Sequence, residues 1–404
     1  MELYLQFGHG MMGHCRDLLA SWNGGTAILS PRDLTWDQLV RVGESITTIP
    51  GGESLLDPQF YLPHAYHKKL GEHSYWPKDY NTAVFWQGQH LSALLHDLSK
   101  LNREIGCRRM IAPGLFADSI DSDWLDTHQA VIEEARAVEK ELPLIVTIAL
   151  SGKAVQSTEQ VSLLLEHAEH WKADAYYVVC EHPDGQYLVE DPNWLANVLD
   201  LSAGLRLNRA EVILGYCTHQ MLVAGAAKVT AVASGTWMNV RSFPPDKFIT
   251  AYDDEIKMRK TWYYCPQALS EYGLPFLDIA HRLGLLSLMA PPATVDGGYV
   301  ANLFGGAQPT TVGFGEQAAF RHYLHALRAQ CHSIDQTSFD TAVSFHQRTL
   351  DDAEKLLQRL RSSNVIGQLR DFNQIIDINR AALGLFCSLR GPILGREWNG
   401  LDPS

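Results

Sequence analysis

The chain has 404 residues, 46% hydrophobic and 20% charged, enough apolar material for one large globular domain with an appendage. Its formal charge of -13 opposes non-specific attraction to nucleic acid, because phosphate contacts need local lysine or arginine. No uncharged apolar run reaches the roughly 18 residues of a membrane span, and "MELYLQFGHG" lacks the basic region and long apolar stretch of a signal peptide, so a cytoplasmic location without membrane contact is expected.

In chain order, "LYLQFGHG" reads as a first strand ending near His9, and "TAILSP" as a second. Thr35 followed by Gln38 then forms a capping box that opens a helix. A third strand, "SLLDPQF", ends in Asp57 and Gln59. The connection that follows, "YLPHAYHKKLGEHSYWPKDYNTAVFWQG", is longer than a crossover needs, as lids and binding loops are. Its His64, His67 and His73 do not have strong zinc spacing and read as a solvated loop. "RMIAPGLFA" is the fourth strand, with Asp118 just beyond it, and "DSDWLDTHQAVIEEARAVEKE" the helix after it. "PLIVTIALS" is the fifth, followed by the helix "STEQVSLLLEHAEHWK", for which Ser157 and Gln160 offer a capping box. "AYYVVCEHP" ends in Glu181 and His182, and Asp191-Pro192 starts the next helix. "EVILGYC" leads to Tyr216, Cys217 and His219, and "TAVASGTW" runs from Ser234 into Thr236, Trp237, Asn239 and Arg241.

Apolar strands separated by amphipathic helices imply parallel strands buried on both faces. Eight of them predict an α/β protein, a (β/α)8 TIM-like barrel over residues 1–245, with a doubly wound open sheet as the alternative. Residues 246–315, rich in Gly, Pro and aromatic side chains, read as an irregular extension. Residues 316–404 read as a C-terminal helical lobe packed on the barrel or on another subunit.

The seven cysteines are scattered and never in a C-x-x-C pair, which argues against a disulfide framework or a self-contained zinc knuckle. In such a barrel the strand C-termini converge on the face that carries chemistry. That face collects His9, Asp57, Gln59, Asp118, Glu181, His182, Tyr216, Cys217, His219, Ser234, Thr236, Trp237, Asn239 and Arg241, a rim suited to a flat or sugar-like ligand. Several also have a structural role open to them: Asp57 before Pro58 can shape a turn, His9 can stabilise its loop, only one of Glu181 and His182 easily enters the mouth, and Cys217 suits a core thiol. Arg241, Lys247, Lys257, Arg259 and Lys260 form a local basic cluster.

The strand order, the aspartate of "LLDPQF", the small-residue eighth strand followed by an aromatic and an arginine, and Cys265 ahead of "FRHYLHALRAQ" resemble the tRNA-guanine transglycosylase superfamily, including relatives that insert 7-deazaguanines into DNA. The resemblance implies base exchange: one aspartate attacks the anomeric carbon, another holds the base, and a zinc site of three cysteines and a histidine braces the extension. Asp57, Gln59 and Phe60 match part of the family's D-S-G-G-F-Q motif, and Asp118 in "LFADS" resembles the base-recognising aspartate. The departures are large. Val232, Ala233, Ser234 and Gly235 stand where the family's strand-eight nucleophile would be, and of the zinc motif only Cys265, with His322, is left, too few for a closed site.

Three functions follow. The first is a transglycosylase-like protein that recognises or exchanges a guanine or 7-deazaguanine base in nucleic acid, with Asp57, Asp118, Glu181 and Ser234 as the candidate catalytic set. His9, Gln59, His182, His219, Trp237, Asn239 and Arg241 are its candidate substrate-binding groups. The second is a metal-dependent hydrolase using His9, Glu181 or His182, and His219, which would need at least three such ligands. The third is a non-catalytic base-binding or assembly subunit, a homo-oligomer or the partner of an active homologue.

Overall fold

The computed structural model describes residues 1–65, 67–78, 80, 85–86, 88–249 and 260–402. Nine parallel strands form one curved sheet: β1 (Glu2–Gln6), β2 (Gly25–Leu29), β3 (Gly52–Leu56), β4 (Met110–Ile111), β5 (Phe116–Ala117), β6 (Leu144–Leu150), β7 (Ala175–Cys180), β8 (Glu211–Leu214) and β9 (Ala231–Ser234). Their order is β3-β2-β1-β9-β8-β7-β6-β4, with β5 also paired to β6. The first strand therefore pairs with the last, from Glu2 opposite Ala231 to Leu5 opposite Ser234, and the sheet curls into a nearly closed TIM-like barrel. The short β4 and β5 are two pieces of the fourth strand, separated by Pro113, which has no N–H to donate, and Gly114. At the seam between the third and fourth strands, the Phe116 amide donates to the Tyr61 carbonyl (3.0 Å).

The strands are buried almost throughout, as a parallel sheet covered by helices requires. The covering helices are α1 (Met11–Trp22), α2 (Trp36–Thr47), α3 (Gln89–Ile105), α4 (Ser122–Val138), α5 (Gly152–Gln156), α6 (Thr158–Trp171) and α7 (Pro192–Leu207). Start signals act as expected in α2, where the Thr35 amide donates to Gln38 Oε1 (2.9 Å), and in α7, where the Asp191 carboxylate accepts from the Asn193 and Trp194 amides. In α6 only half of the box forms. Ser157 Oγ accepts from the Gln160 amide, but the Gln160 side chain is drawn away to the Ile120 amide (2.8 Å), a tertiary contact that replaces the local one.

Between β8 and β9 the crossover is a 3-10 segment, His219–Ala227. The ring position beside β1 is taken by a helix from far along the chain, α9 (Glu316–Ser333), which follows α8 (Leu274–Arg282). It is fastened by Trp22 Nε1 donating to His325 Nδ1 (3.1 Å) and by the Arg321–Asp17 ion pair. The rest of the C-terminal region is α10 (Phe339–Arg361) and α11 (Ile376–Glu397), the latter laid along α7 with Arg390 paired to Asp200 (2.6 Å). The intervening region is less irregular than its composition suggests. It holds an antiparallel hairpin, β10 (Trp262–Cys265) and β11 (Ser270–Gly273), before α8. The last helix begins only at Ile376, because the buried Asp371 carboxylate captures the Gly367 and Asn373 amides and Arg361 in a turn before it. Among the described residues, no helix is long and apolar enough to cross a membrane.

Candidate functional site at the barrel mouth

Asp57 follows β3 directly and is 1% exposed. Its Oδ1 accepts from the Gln59 amide (2.9 Å) and the Tyr61 hydroxyl (2.9 Å), and its Oδ2 from the hydroxyls of Tyr61 (2.9 Å), Tyr216 (3.1 Å) and Tyr177 (3.3 Å). Burial lifts this carboxyl to about 6, and the hydrogen bonds from Gln59, Tyr61, Tyr216 and Tyr177 only partly offset it. The three phenols are themselves driven well above the ordinary tyrosine range, by burial first and then by the neighbouring carboxylate, so they remain donors at any working pH.

A second layer holds this array. The Tyr177 hydroxyl also reaches Gln6 Oε1 (3.0 Å), and Gln59 Nε2 donates to Ser30 Oγ (2.9 Å) and to the Tyr216 hydroxyl (3.2 Å). Gln59 and Tyr216 have positive φ (53° and 56°), a left-handed conformation that costs a non-glycine residue about 1–3 kcal/mol.

The array is roofed by the chain itself. Phe243 packs against Tyr61 (4.9 Å between ring centres), Tyr216 (5.2 Å) and Phe116 (5.9 Å), and stacks on Phe248 (5.7 Å, 29°). A bridge from Glu181 to Phe243 and a hydrogen bond from Arg32 Nε to the Lys247 carbonyl (3.1 Å) hold this segment across the mouth. Phe60, just beyond the third strand, forms an aromatic wall with Trp76, Tyr80, Phe85 and Trp86 from the long connection that follows.

The other rim residues fall into separate surroundings. Glu181 is half-buried, accepts from the Gly152 amide (3.0 Å), and is raised by burial and then by nearby Asp118 and Asp246, both exposed, so Asp118 and Glu181 do come together. Asp57 has different partners, three phenols and the Gln59 amide. Ser234 is buried beside the Tyr323 phenol, without a hydrogen bond of ordinary geometry. The next residue, Gly235, permits no side chain: a Cβ there would lie 2.5 Å from the Gln6 carbonyl oxygen. His9 is exposed, and its carbonyl accepts from Trp237 Nε1 (3.1 Å). His9, Trp237, Thr236, His14 and Phe320 line a cleft of about 140 Å³ at the rim.

Arg241, expected to contact phosphate or base, is 3% exposed and spent on the protein. Nε donates to the Gly235 carbonyl, one terminal nitrogen to the Thr236 carbonyl, and the other to Tyr187 and Glu271 (3.3 Å), while the guanidinium lies 3.5 Å from the Tyr323 ring centre. Burial would raise the Glu271 carboxyl, but Arg370 and Arg241 bring it down to about 2. This interior ion cluster ties the end of β9 to the hairpin. Asn239 is half-buried, and its carbonyl accepts from Lys247 Nζ, which is buried too. Lys257 and Arg259 of the expected basic cluster lie outside the described residues.

The imidazoles are likewise dispersed. His182 is bonded to the Gln186 carbonyl (2.8 Å) and packed on Trp194, and His219 sits among Tyr264, Tyr323 and Phe372; burial pushes both down to about 4. His73 is not solvated: it is buried against the Pro31 carbonyl (2.8 Å). His322 is taken up by the Tyr264 carbonyl (2.7 Å), and the Cys265 thiol by the Met289 carbonyl (3.7 Å). Among the described residues, no group of three His, Cys, Asp or Glu side chains is placed to hold a metal ion. The sequence reading missed Gln6, Ser30, Tyr61 and Tyr177. Tyr177 was detectable in principle, as an inward-facing polar ring in an otherwise apolar strand.

No protein-family model matches the chain, and no curated protein sequence is similar to it. Among solved structures it is similar to the carboxyl transferase domain of Rhizobium etli pyruvate carboxylase, solved with 3-hydroxypyruvate. The identity is 12% and the TM-score 0.36, over 98% of this chain and 80% of that one, a likeness that carries no inference about site or activity.

Proposed function

We propose that the protein is a transglycosylase-like barrel that recognises a guanine or 7-deazaguanine base at its mouth and lacks the exchange step. The observation that carries this reading is the Asp57 carboxyl, fixed at the end of the third strand by three phenols and two strained neighbours, while the eighth strand ends in Ser234 with no carboxylate. The Asp57 oxygens are taken by the Gln59 amide and the three phenols, and the slot between Tyr61, Tyr216 and Phe116 is filled by the Phe243 ring, so a guanine-type base brings its donor edge to this carboxylate by displacing Phe243 and a phenol, between walls suited to a flat ligand. Base exchange needs a nucleophile at the anomeric carbon, and a buried serine beside a phenol has no base to activate it.

The test is calorimetric titration with guanine, 7-deazaguanine and adenine, alongside incorporation of labelled guanine into tRNA and duplex DNA. Binding of guanine-type bases that is lost in Asp57→Asn, with no incorporation, is expected. Incorporation of label would replace this reading with an active exchanger, and absence of binding to every base, also in Phe243→Ala where the slot is vacated, would end it.

A further inference from the structure

We infer that the protein self-associates through α11, by antiparallel packing of its outer face against the same face of a second copy. The inner face of this helix lies on α7 and α10, burying Ile376, Leu383, Phe386 and Leu394. The outer face is also apolar: Leu385 (43% exposed) and Leu389 (55% exposed) lie with the exposed Ala381, Ser388 and Pro392, all at helical spacings that place them on one stripe. A helix that is apolar on both sides is ordinarily covered on both sides.

Charge selects the occupant. From Ala381 to Gly395 the one charge is Arg390, half-buried and paired with Asp200, whereas exposed Asp377 precedes the stripe and exposed Arg396 follows it, the neighbouring Glu397 being paired with Arg209. Antiparallel pairing about a two-fold axis near residues 386 and 387 sets Ala381 near Pro392 of the partner subunit and Leu385 near Ser388 of the partner subunit. At each end it brings Asp377 toward Arg396 of the partner subunit, so the two ends are satisfied at once. A parallel arrangement would oppose like charges. Self-complementarity of this kind is what an isologous dimer requires. Asp377 already bonds Arg380 (3.2 Å) but remains 93% exposed, open to a second cation.

One helix face is a small interface, and the dimer is expected to dissociate on dilution. The experiment is sedimentation velocity of the full chain across a concentration series up to about 200 μM, well above a micromolar dissociation constant. The expected result is a monomer–dimer equilibrium. Leu385→Glu with Leu389→Glu should leave only monomer, with an unchanged circular dichroism spectrum and the melting temperature of the dilute, monomeric wild type, because both side chains lie at the surface. Asp377→Arg should weaken association roughly threefold to tenfold, the range for two symmetric surface ion pairs, and adding Arg396→Asp should restore it. Wild-type protein that stays monomeric throughout, or a dimer indifferent to the double glutamate variant, overturns the inference.

Discussion

Replacing Asp57 by asparagine removes one titrating proton from the barrel interior and should change how stability depends on pH. In the folded protein the carboxyl titrates near 6, held up by burial, against 3.8 for an ordinary aspartate. The folded state therefore holds the proton more tightly than the unfolded chain does. Below the unfolded value both states are protonated and Asp57 costs nothing. As pH rises from there through about 6 the folded protein must either keep the proton or bury a charge, and stability falls. The difference between the two titration points corresponds to about 3 kcal/mol. Asparagine keeps the shape and an acceptor oxygen among Tyr61, Tyr177 and Tyr216, so its effect on the hydrogen bonds is an offset independent of pH. Urea unfolding of both proteins at intervals from pH 4 to pH 8 should show the wild type losing about 2.5 kcal/mol relative to Asp57→Asn, mostly below about pH 6.5. A difference that is flat with pH, or that grows in favour of the wild type as pH rises, would refute the claim that this carboxyl is buried and strained toward its neutral form.

Arg241→Ala should destabilise by about 3–5 kcal/mol in urea unfolding, since it leaves Glu271 short of a buried partner; Arg370, still 2.7 Å away, favours the lower end. A neutral stability effect with salt-sensitive loss of nucleic-acid binding would restore its expected phosphate role. Glu271, depressed to about 2, contributes stability above about 4.5 that is lost as pH falls toward 2, so Glu271→Gln should flatten the acid limb of the wild-type stability curve. Phe243→Ala should cost about 3–5 kcal/mol as a buried aromatic truncation while tightening any flat ligand that enters the vacated slot, read by melting temperature with and without base. Gly235→Ala should lower the melting temperature, because its methyl would overlap both the Gln6 carbonyl and Val240.

Periodicity alone was enough to place the barrel strands, because buried parallel strands are apolar runs bounded by turn residues, and Thr35 and Asp191 marked helix starts through contacts within four residues. Asp57 was visible for the same local reason: a carboxylate that ends an apolar strand is conspicuous. Its environment was not, since Tyr177 and Tyr216 reach it across 120 and 159 residues of sequence, and no local pattern reports such meetings. Arg241 shows the converse. It looked like a surface contact because the residues around it are polar, and its burial depends on Glu271, Tyr187 and Tyr323, which come from three separate elements. The helix beside β1 was equally hidden, because α9 arrives from more than 80 residues beyond β9.

The proposed recognition of a guanine-type base at the barrel mouth rests on Asp57. Its most direct measurement is calorimetric binding of 7-deazaguanine to the wild type, to Asp57→Asn and to Phe243→Ala at a single pH above 6. The wild type should bind saturably, Phe243→Ala more tightly and Asp57→Asn not at all. Equal binding to all three, or none to any, would contradict the proposal.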